Sequence, residues 1–340
     1  MNQLAEQPTP SYQALAATFC EVIAQWKDQR VAVIGHRRPD GDCVGSQIAL
    51  TRVLRDRGVD AFCLNQDPVP KNLAPFVGDT PYFQTGEVRL ENTHGVMVDC
   101  ADAARCGAPI ASAFPEILLN IDHHISNPEY AVHNIVVSSS SATAEILACL
   151  FTEAGILFDS VTAQALFVGI ATDTGQFRFN TTTPLTFEIC RRLCDFGATP
   201  ASAAQILYEQ ESIGSIQLLQ KFLASLRLEF DGRVCIGFVE DGLYAVTNTS
   251  SEDSEGLVDY TRSIEGVEIG VFLEEQNGQI KGSFRSKEPY FRVNEMAAQL
   301  NGGGHACAAG FQVRGEIQSF YPQLLALVAS HLEAIAAPVA

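Results

Sequence analysis

The segment GHRRPDGDCVGS at 35–46 places His36, Asp40 and Asp42 within seven residues. Two carboxylates at i and i+2, separated by Gly41, can face two adjacent cations while an imidazole completes one shell. The competing role is an acidic surface turn, for which Asp, Gly and Pro are common choices. Three further segments bear on that choice. VMVD ends an apolar run on Asp99, NIDHH ends another on Asp122, His123 and His124, and GIATDTG sets Asp173 after a third apolar stretch. Each alone fits a helix cap or a solvated loop; four segments ending alike fit one shared site. Oxygen and imidazole donors without thiolate suit Mn²⁺ or Mg²⁺ better than structural zinc, and the histidines favour Mn²⁺. Two such ions roughly 3.5–4 Å apart share a water, lower its pKa and stabilise charge on attacking and leaving oxygens. The chemistry this predicts is phosphoester hydrolysis by a bridging hydroxide, without a covalent intermediate.

These residues need elements to carry them. VAVIG at 31–35 is a short apolar run suited to a buried parallel strand, and VGSQIALTRVLRDRG at 44–58 follows with helical spacing and a terminal Gly. GVMVDCAD at 95–102 and EILLNIDHH at 116–124 also run apolar and stop at acidic or histidine residues. Strands that end in chemistry predict an α/β fold, a mostly parallel sheet flanked by helices with function beyond the carboxyl ends of its strands. Segments 141–155 and 162–175 have helical spacing, the second delivering Asp173 near its end. Segment 210–230 reads as a connecting helix running into a strand. Beyond it, RVCIGFVE and the pair VEIGVFLEEQ and QIKGSFRS, joined at Asn277-Gly278, read as strands, the pair as a hairpin. The division expected is a catalytic α/β domain over 1–205, a linker helix over 206–225 and a smaller α+β domain over 226–335.

A chain of 340 residues favours two lobes, and 46% hydrophobic with 18% charged residues is an ordinary globular composition. The N-terminal stretch lacks the basic start and apolar block of a secretion signal, and no apolar run approaches a membrane span. A cytoplasmic protein with no membrane association is expected. Ten cysteines at irregular spacing, with no CxxC pair, read as small buried hydrophobes in a reducing compartment. A formal charge of −18 disfavours a protein gripping long nucleic acid through many phosphates. A short anionic substrate stays compatible, because bound divalent ions reverse the potential inside an acidic site. A homodimer is the mild default for a soluble enzyme.

HRRPDGD, VMVDCAD, IDHH and GIATDTG match, in order and kind, the four motifs of the DHH phosphoesterase family, which the chain resembles over nearly all its length after about residue 28. The segment GSFRSKEPYFRVNEMAAQLNGGGHACAAGF at 282–311 carries the Arg-Ser and Gly-Gly-Gly-His signatures of the DHHA1 partner domain. SSSSATAEIL at 138–147 and 254–272 resemble a short bacterial branch that cleaves oligoribonucleotides of a few residues and dephosphorylates 3′-phosphoadenosine-5′-phosphate. The resemblance implies one metal on His36, Asp40 and Asp99 and a second on Asp42, Asp99, His123 and Asp173, with Asp99 as bridge. It implies that His124 faces the substrate phosphate and that Asp122 orients the histidines from behind. Arg37 and Arg38 fill variable positions, and a solvated loop face is their expected use. In the second domain, Arg285, Ser286, Gly303, Gly304 and His305 would bind substrate, the arginine through its fork and the glycines through backbone amides. Cyclic or linear dinucleotides are the alternative substrates, and a non-catalytic nucleotide sensor is the alternative of another class.

Overall fold

The structure, a computed structural model, describes residues 11–336. The chain divides between Gln210 and Glu211 into two units. The first contains strands β1 (Arg30–Ile34), β2 (Asp60–Asn65), β3 (Tyr82–Gln84), β4 (Thr93–Val98), β5 (Ile117–Asp122) and β6 (His133–Val136). Its longer helices are α1 (Tyr12–Ala24), α2 (Gly41–Arg55), α4 (Thr143–Glu153), α5 (Ser160–Asp173), α6 (Pro184–Asp195) and α7 (Pro200–Tyr208), with the short α3 (Ala108–Ala113) between β4 and β5.

The six strands form one sheet in the order β3-β2-β1-β4-β5-β6, every pair parallel. Alternation along each strand divides its side chains between two cores. Val31, Val33, Val96 and Val98 pack on α1, α2, α4 and α5, while Ala32, Ile34 and Met97 pack with Ile110 and Phe114 on the opposite face. Both faces are covered, which is why these strands read as continuous apolar runs. The chain turns from β1 outward to β2 and β3, then returns to lay β4, β5 and β6 on the other side. The switch point therefore falls between β1 and β4, where such sheets bind ligands.

Helices α2 and α5 cross closely because two glycines allow it. A Cβ on Gly45 would meet Ala165 O at 2.3 Å, and one on Gly169 would meet Asp42 Oδ1 at 3.0 Å and Asp42 Cα at 3.3 Å. That packing holds the end of α5 over the strand termini.

The second unit contains α8 (Ile213–Ser225), β7 (Arg227–Glu229), β8 (Val234–Val239), α9 (Leu243–Thr247), α10 (Leu257–Ser263), β9 (Ile269–Gln276), β10 (Gln279–Ser286), α11 (Val293–Gln299), β11 (Gly303–His305), β12 (Ala308–Arg314) and α12 (Ile317–Ala336). Its sheet order is β11-β12-β10-β9-β8-β7, antiparallel except for β8 with β9. Asn277 and Gly278 join β9 to β10 with φ of 53° and 70°, the positive values a two-residue hairpin turn with matching twist needs. Segment 206–225, read from sequence as a linker helix, holds the end of α7, a break and α8. The α8 side chains Leu218 and Phe222 are buried with Val239, Tyr244, Leu257 and Phe272, so this helix belongs to the core of the second unit. All ten cysteines are free; seven, including Cys100 and Cys149, are buried, and Cys194 is exposed.

Candidate active site

Because β1, β4 and β5 are parallel neighbours, the residues at or just after their carboxyl ends share one edge of the sheet: His36, Asp99 and the run Asp122-His123-His124. Asp40 and Asp42 enter at the start of α2, and Asp173 is the last residue of α5. His36 Nε2 lies 3.7 Å from Asp40 Oδ2 and 3.3 Å from Asp99 Oδ2. His123 Nε2 lies 3.6 Å from Asp99 Oδ1, 3.5 Å from Asp173 Oδ2 and 4.0 Å from Asp42 Oδ2. Asp99 thus presents one oxygen to each of two donor sets. It does so from a left-handed backbone, φ 56°, a conformation that Asp and Asn tolerate better than other side chains and that collects at functional sites.

The histidines are oriented from behind. His36 Nδ1 is 2.8 Å from Arg37 O, and since a carbonyl only accepts, Nδ1 carries a proton and Nε2 is the nitrogen that faces the carboxylates. His124 Nδ1 is 2.8 Å from Asp122 Oδ1, and Asn127 Nδ2 donates to the other Asp122 oxygen at 2.6 Å. Although burial opposes it, these hydrogen bonds hold the Asp122 carboxyl below the usual range.

Sequence reading missed the bracket that seats Asp42 and Asp99. Asp42 accepts the backbone N–H groups of Thr143 and Ala144, at 2.7 and 2.8 Å, in the first turn of α4. The residue at the N-cap position there, Ala142, has no side chain to cap with. Thr143 Oγ1 donates to Asp99 Oδ1 at 3.2 Å. Buried Glu145 holds the approach, accepting from the hydroxyls of Ser140 and Ser141 at 2.7 Å each. The sequence signal was SSSSATAE itself, polar residues crowded before a buried helix.

The electrostatics are those of a cation site. Burial, reinforced by the charge of Asp42, pushes the Asp99 carboxyl well above the ordinary range. Burial also raises Asp42, and burial with the Asp42 charge pushes Asp173 up to about 7. Burial disfavours charge on the imidazoles, yet Asp40 and Asp99 raise His36, and Asp42, Asp173 and Asp99 raise His123. With Asp42 and Asp99 only 1% and 2% exposed, crowded carboxylates of this kind call for positive charge between them, and a divalent ion fits the oxygen and nitrogen donors. Cys43 Sγ also lies within metal-ligand reach of His36 and Asp99, a thiol that sequence reading had set among the packing cysteines. Burial pushes it up to about 11 against the opposing effect of His36, so it is neutral near pH 7.

In the second unit, Arg285 pairs across to Ala308, which pairs in turn with His305, so the three side chains share one face of the sheet. Arg285 is half-buried, burial lowers its pKa, and no ion pair among the described residues includes it. The glycines differ in role. A Cβ on Gly302 would meet Gly310 O at 2.1 Å and one on Gly304 would meet Ala308 O at 2.4 Å, whereas Gly303 faces open space. Ser286 departs from the substrate-binding expectation. It points into the core, wholly buried, and its hydroxyl donates to Glu288 O at 3.0 Å, because alternation in β10 puts Arg285 and Ser286 on opposite faces.

A parallel sheet with carboxylates and imidazoles at its switch point, in a chain that also carries a mixed-sheet unit, is the arrangement of a phosphoesterase class. The family model for the DHH family N-terminal domain matches residues 30–170 and that for the DHHA1 domain matches residues 234–334. The chain belongs to the DHH/DHHA1 phosphoesterase family. It is 29% identical over 327 residues to the bifunctional oligoribonuclease and PAP phosphatase NrnA of Thermus thermophilus, covering 96% of this chain and 97% of that protein. The NrnA protein of Bacillus subtilis is 29% identical over 289 residues, 82% of this chain and 87% of that one. Among solved structures, an exopolyphosphatase-related protein from Bacteroides fragilis superposes with a TM-score of 0.86 at 22% identity, over 96% of this chain and 98% of that one, a likeness of fold.

Proposed function

We propose that this chain is a two-metal phosphoesterase that hydrolyses short oligoribonucleotides to nucleoside monophosphates and removes the 3′-phosphate of 3′-phosphoadenosine-5′-phosphate. The observation that carries the reading is the division of Asp99, whose two oxygens face His36 and His123 separately. His36, Asp40 and Asp99 would hold one divalent ion, and Asp42, Asp99, His123 and Asp173 the other. Imidazole donors favour Mn²⁺, with Mg²⁺ as the weaker alternative. When bound, the ions supply a water of lowered pKa and stabilise charge on the phosphoryl oxygens.

The chain's own groups do the rest. Asp122 fixes His124 through Nδ1, so that its Nε2 edge, 3.3 Å from Arg105 Nη1, is the side the phosphoryl group would approach. Thr143 and the first turn of α4 keep Asp99 and Asp42 from swinging. Arg285, His305, Gly303 and Gly304 contribute to substrate recognition, Arg285 as a guanidinium with no ion pair among the described residues and so suited to a phosphate. A net charge of −18 and the named activities of the NrnA relatives support a short nucleotide substrate over a long strand. No helix among the described residues is long and apolar enough to cross a membrane.

The test is one panel with Mn²⁺: an RNA dinucleotide, an RNA pentanucleotide, 3′-phosphoadenosine-5′-phosphate, a cyclic dinucleotide and a long single strand. The reading expects the highest kcat/KM on the first three. Fastest turnover of the long strand or the cyclic dinucleotide would replace the substrate assignment, and binding without turnover of any would make the protein a sensor.

A further inference from the structure

The geometry points to Arg37 and Arg105 as a paired subsite for a phosphate group beside the metal cluster, contributed by the first unit alone. The inference rests on the phosphoesterase reading for the identity of the anion. Arg105 follows Asp99 by six residues, and its Nη1 stands 3.3 Å from His124 Nε2. A guanidinium only donates, so Nε2 accepts this contact while the Nδ1 proton stays on the Asp122 side, and the guanidinium lies where His124 meets substrate. Arg37 is tied to the same place: its backbone N–H donates to Arg105 O at 2.8 Å, clamping the loop after β1 to the loop after β4. Gly107 makes room for it. A Cβ there would fall 3.2 Å from Arg37 Cδ and 1.9 Å from Gln66 Oε1, so the stem of Arg37 passes close over Gly107, two residues along the chain from Arg105.

Both arginines are exposed, and neither takes part in an ion pair among the described residues. In a chain of net charge −18, with a carboxylate cluster close by, two uncompensated guanidiniums from adjoining loops are not explained by folding. Each offers a planar fork of donors that matches phosphate oxygens. The ligand class this selects is a nucleotide bearing a terminal phosphomonoester, whose dianion Arg37 and Arg105 would hold together.

The measurement is the affinity of inorganic phosphate for the Mn²⁺-loaded protein by titration calorimetry, in wild type, Arg105→Lys, Arg105→Ala and the double variant Arg37→Ala/Arg105→Ala. Both side chains are exposed, so folding should persist, and Tm and bound Mn²⁺ are recorded alongside. Arg105→Ala is expected to weaken phosphate at least tenfold, the double variant further, and Arg105→Lys less than Arg105→Ala, with metal content unchanged. Equal phosphate affinity in all four proteins would overturn the inference, and so would loss of Mn²⁺ in the arginine variants, which would make the pair part of the metal site. Phosphate affinity is read without turnover, so failure of every RNA and nucleotide substrate would count against the proposed function and leave this pair standing.

Discussion

Asp42 Oδ2 accepts the backbone N–H of Thr143 at 2.7 Å across 101 residues of chain. One carboxylate therefore stabilises the amino end of α4 and is fixed as a candidate metal ligand by the same contact. The support for that contact is Glu145, which is 1% exposed and accepts from two serine hydroxyls and the Ser141 amide. Glu145→Ala leaves these buried donors without an acceptor and should cost ~1–3 kcal/mol by urea unfolding, together with weaker Mn²⁺ binding. Unchanged stability and metal affinity would remove the bracket from the account.

Asp99 sits at φ 56° with its carboxylate buried beside Asp42. Asparagine tolerates that backbone and carries no charge, whereas alanine adds strain of about 1 kcal/mol. In metal-free protein, Asp99→Asn should therefore be at least as thermally stable as wild type, and Asp99→Ala should melt below Asp99→Asn. The opposite order by calorimetry would mean that the side chain, and not its charge, limits stability here.

The metal-free site holds protons. Asp173 lies at about 7, above its unfolded value, so the stability it lends is present below the ordinary carboxylate pKa and is lost as pH rises through about 7. A bound divalent ion needs Asp173 and Asp42 deprotonated and His123 neutral. The rise in Tm on adding Mn²⁺ should accordingly be small at pH 5.5 and grow through pH 8. A rise independent of pH over that range would place the ion elsewhere.

Arg285 lies on the second unit, half-buried with no ion pair among the described residues. Arg285→Ala should raise KM for 3′-phosphoadenosine-5′-phosphate severalfold to tenfold or more, with bound Mn²⁺ unchanged. Loss of metal in this variant would contradict its assignment to substrate.

The strand-end residues were legible because each ended an apolar run, and parallel neighbours bring such ends to one edge. His36, Asp99 and His123 needed only that rule, and the Asn277-Gly278 hairpin needed only its turn dipeptide. Arg105 was not legible: an arginine seven residues past a strand carries no periodicity, and its contact with His124 depends on β4 lying next to β5. Thr143 lies far along the chain from Asp42 and Asp99, so spacing could not connect it to them. Ser286 was misread because its neighbour Arg285 drew it into the substrate set, while strand alternation turns it into the core.

The proposed chemistry depends on two metal ions sharing Asp99. Mn²⁺ stoichiometry by titration calorimetry, in wild type and in Asp99→Asn, tests it most directly. Two ions per wild-type chain are expected, and in the variant a loss of tight binding at both positions with hydrolysis down at least a thousandfold. An Asp99→Asn protein that retains both ions and the wild-type rate would contradict it.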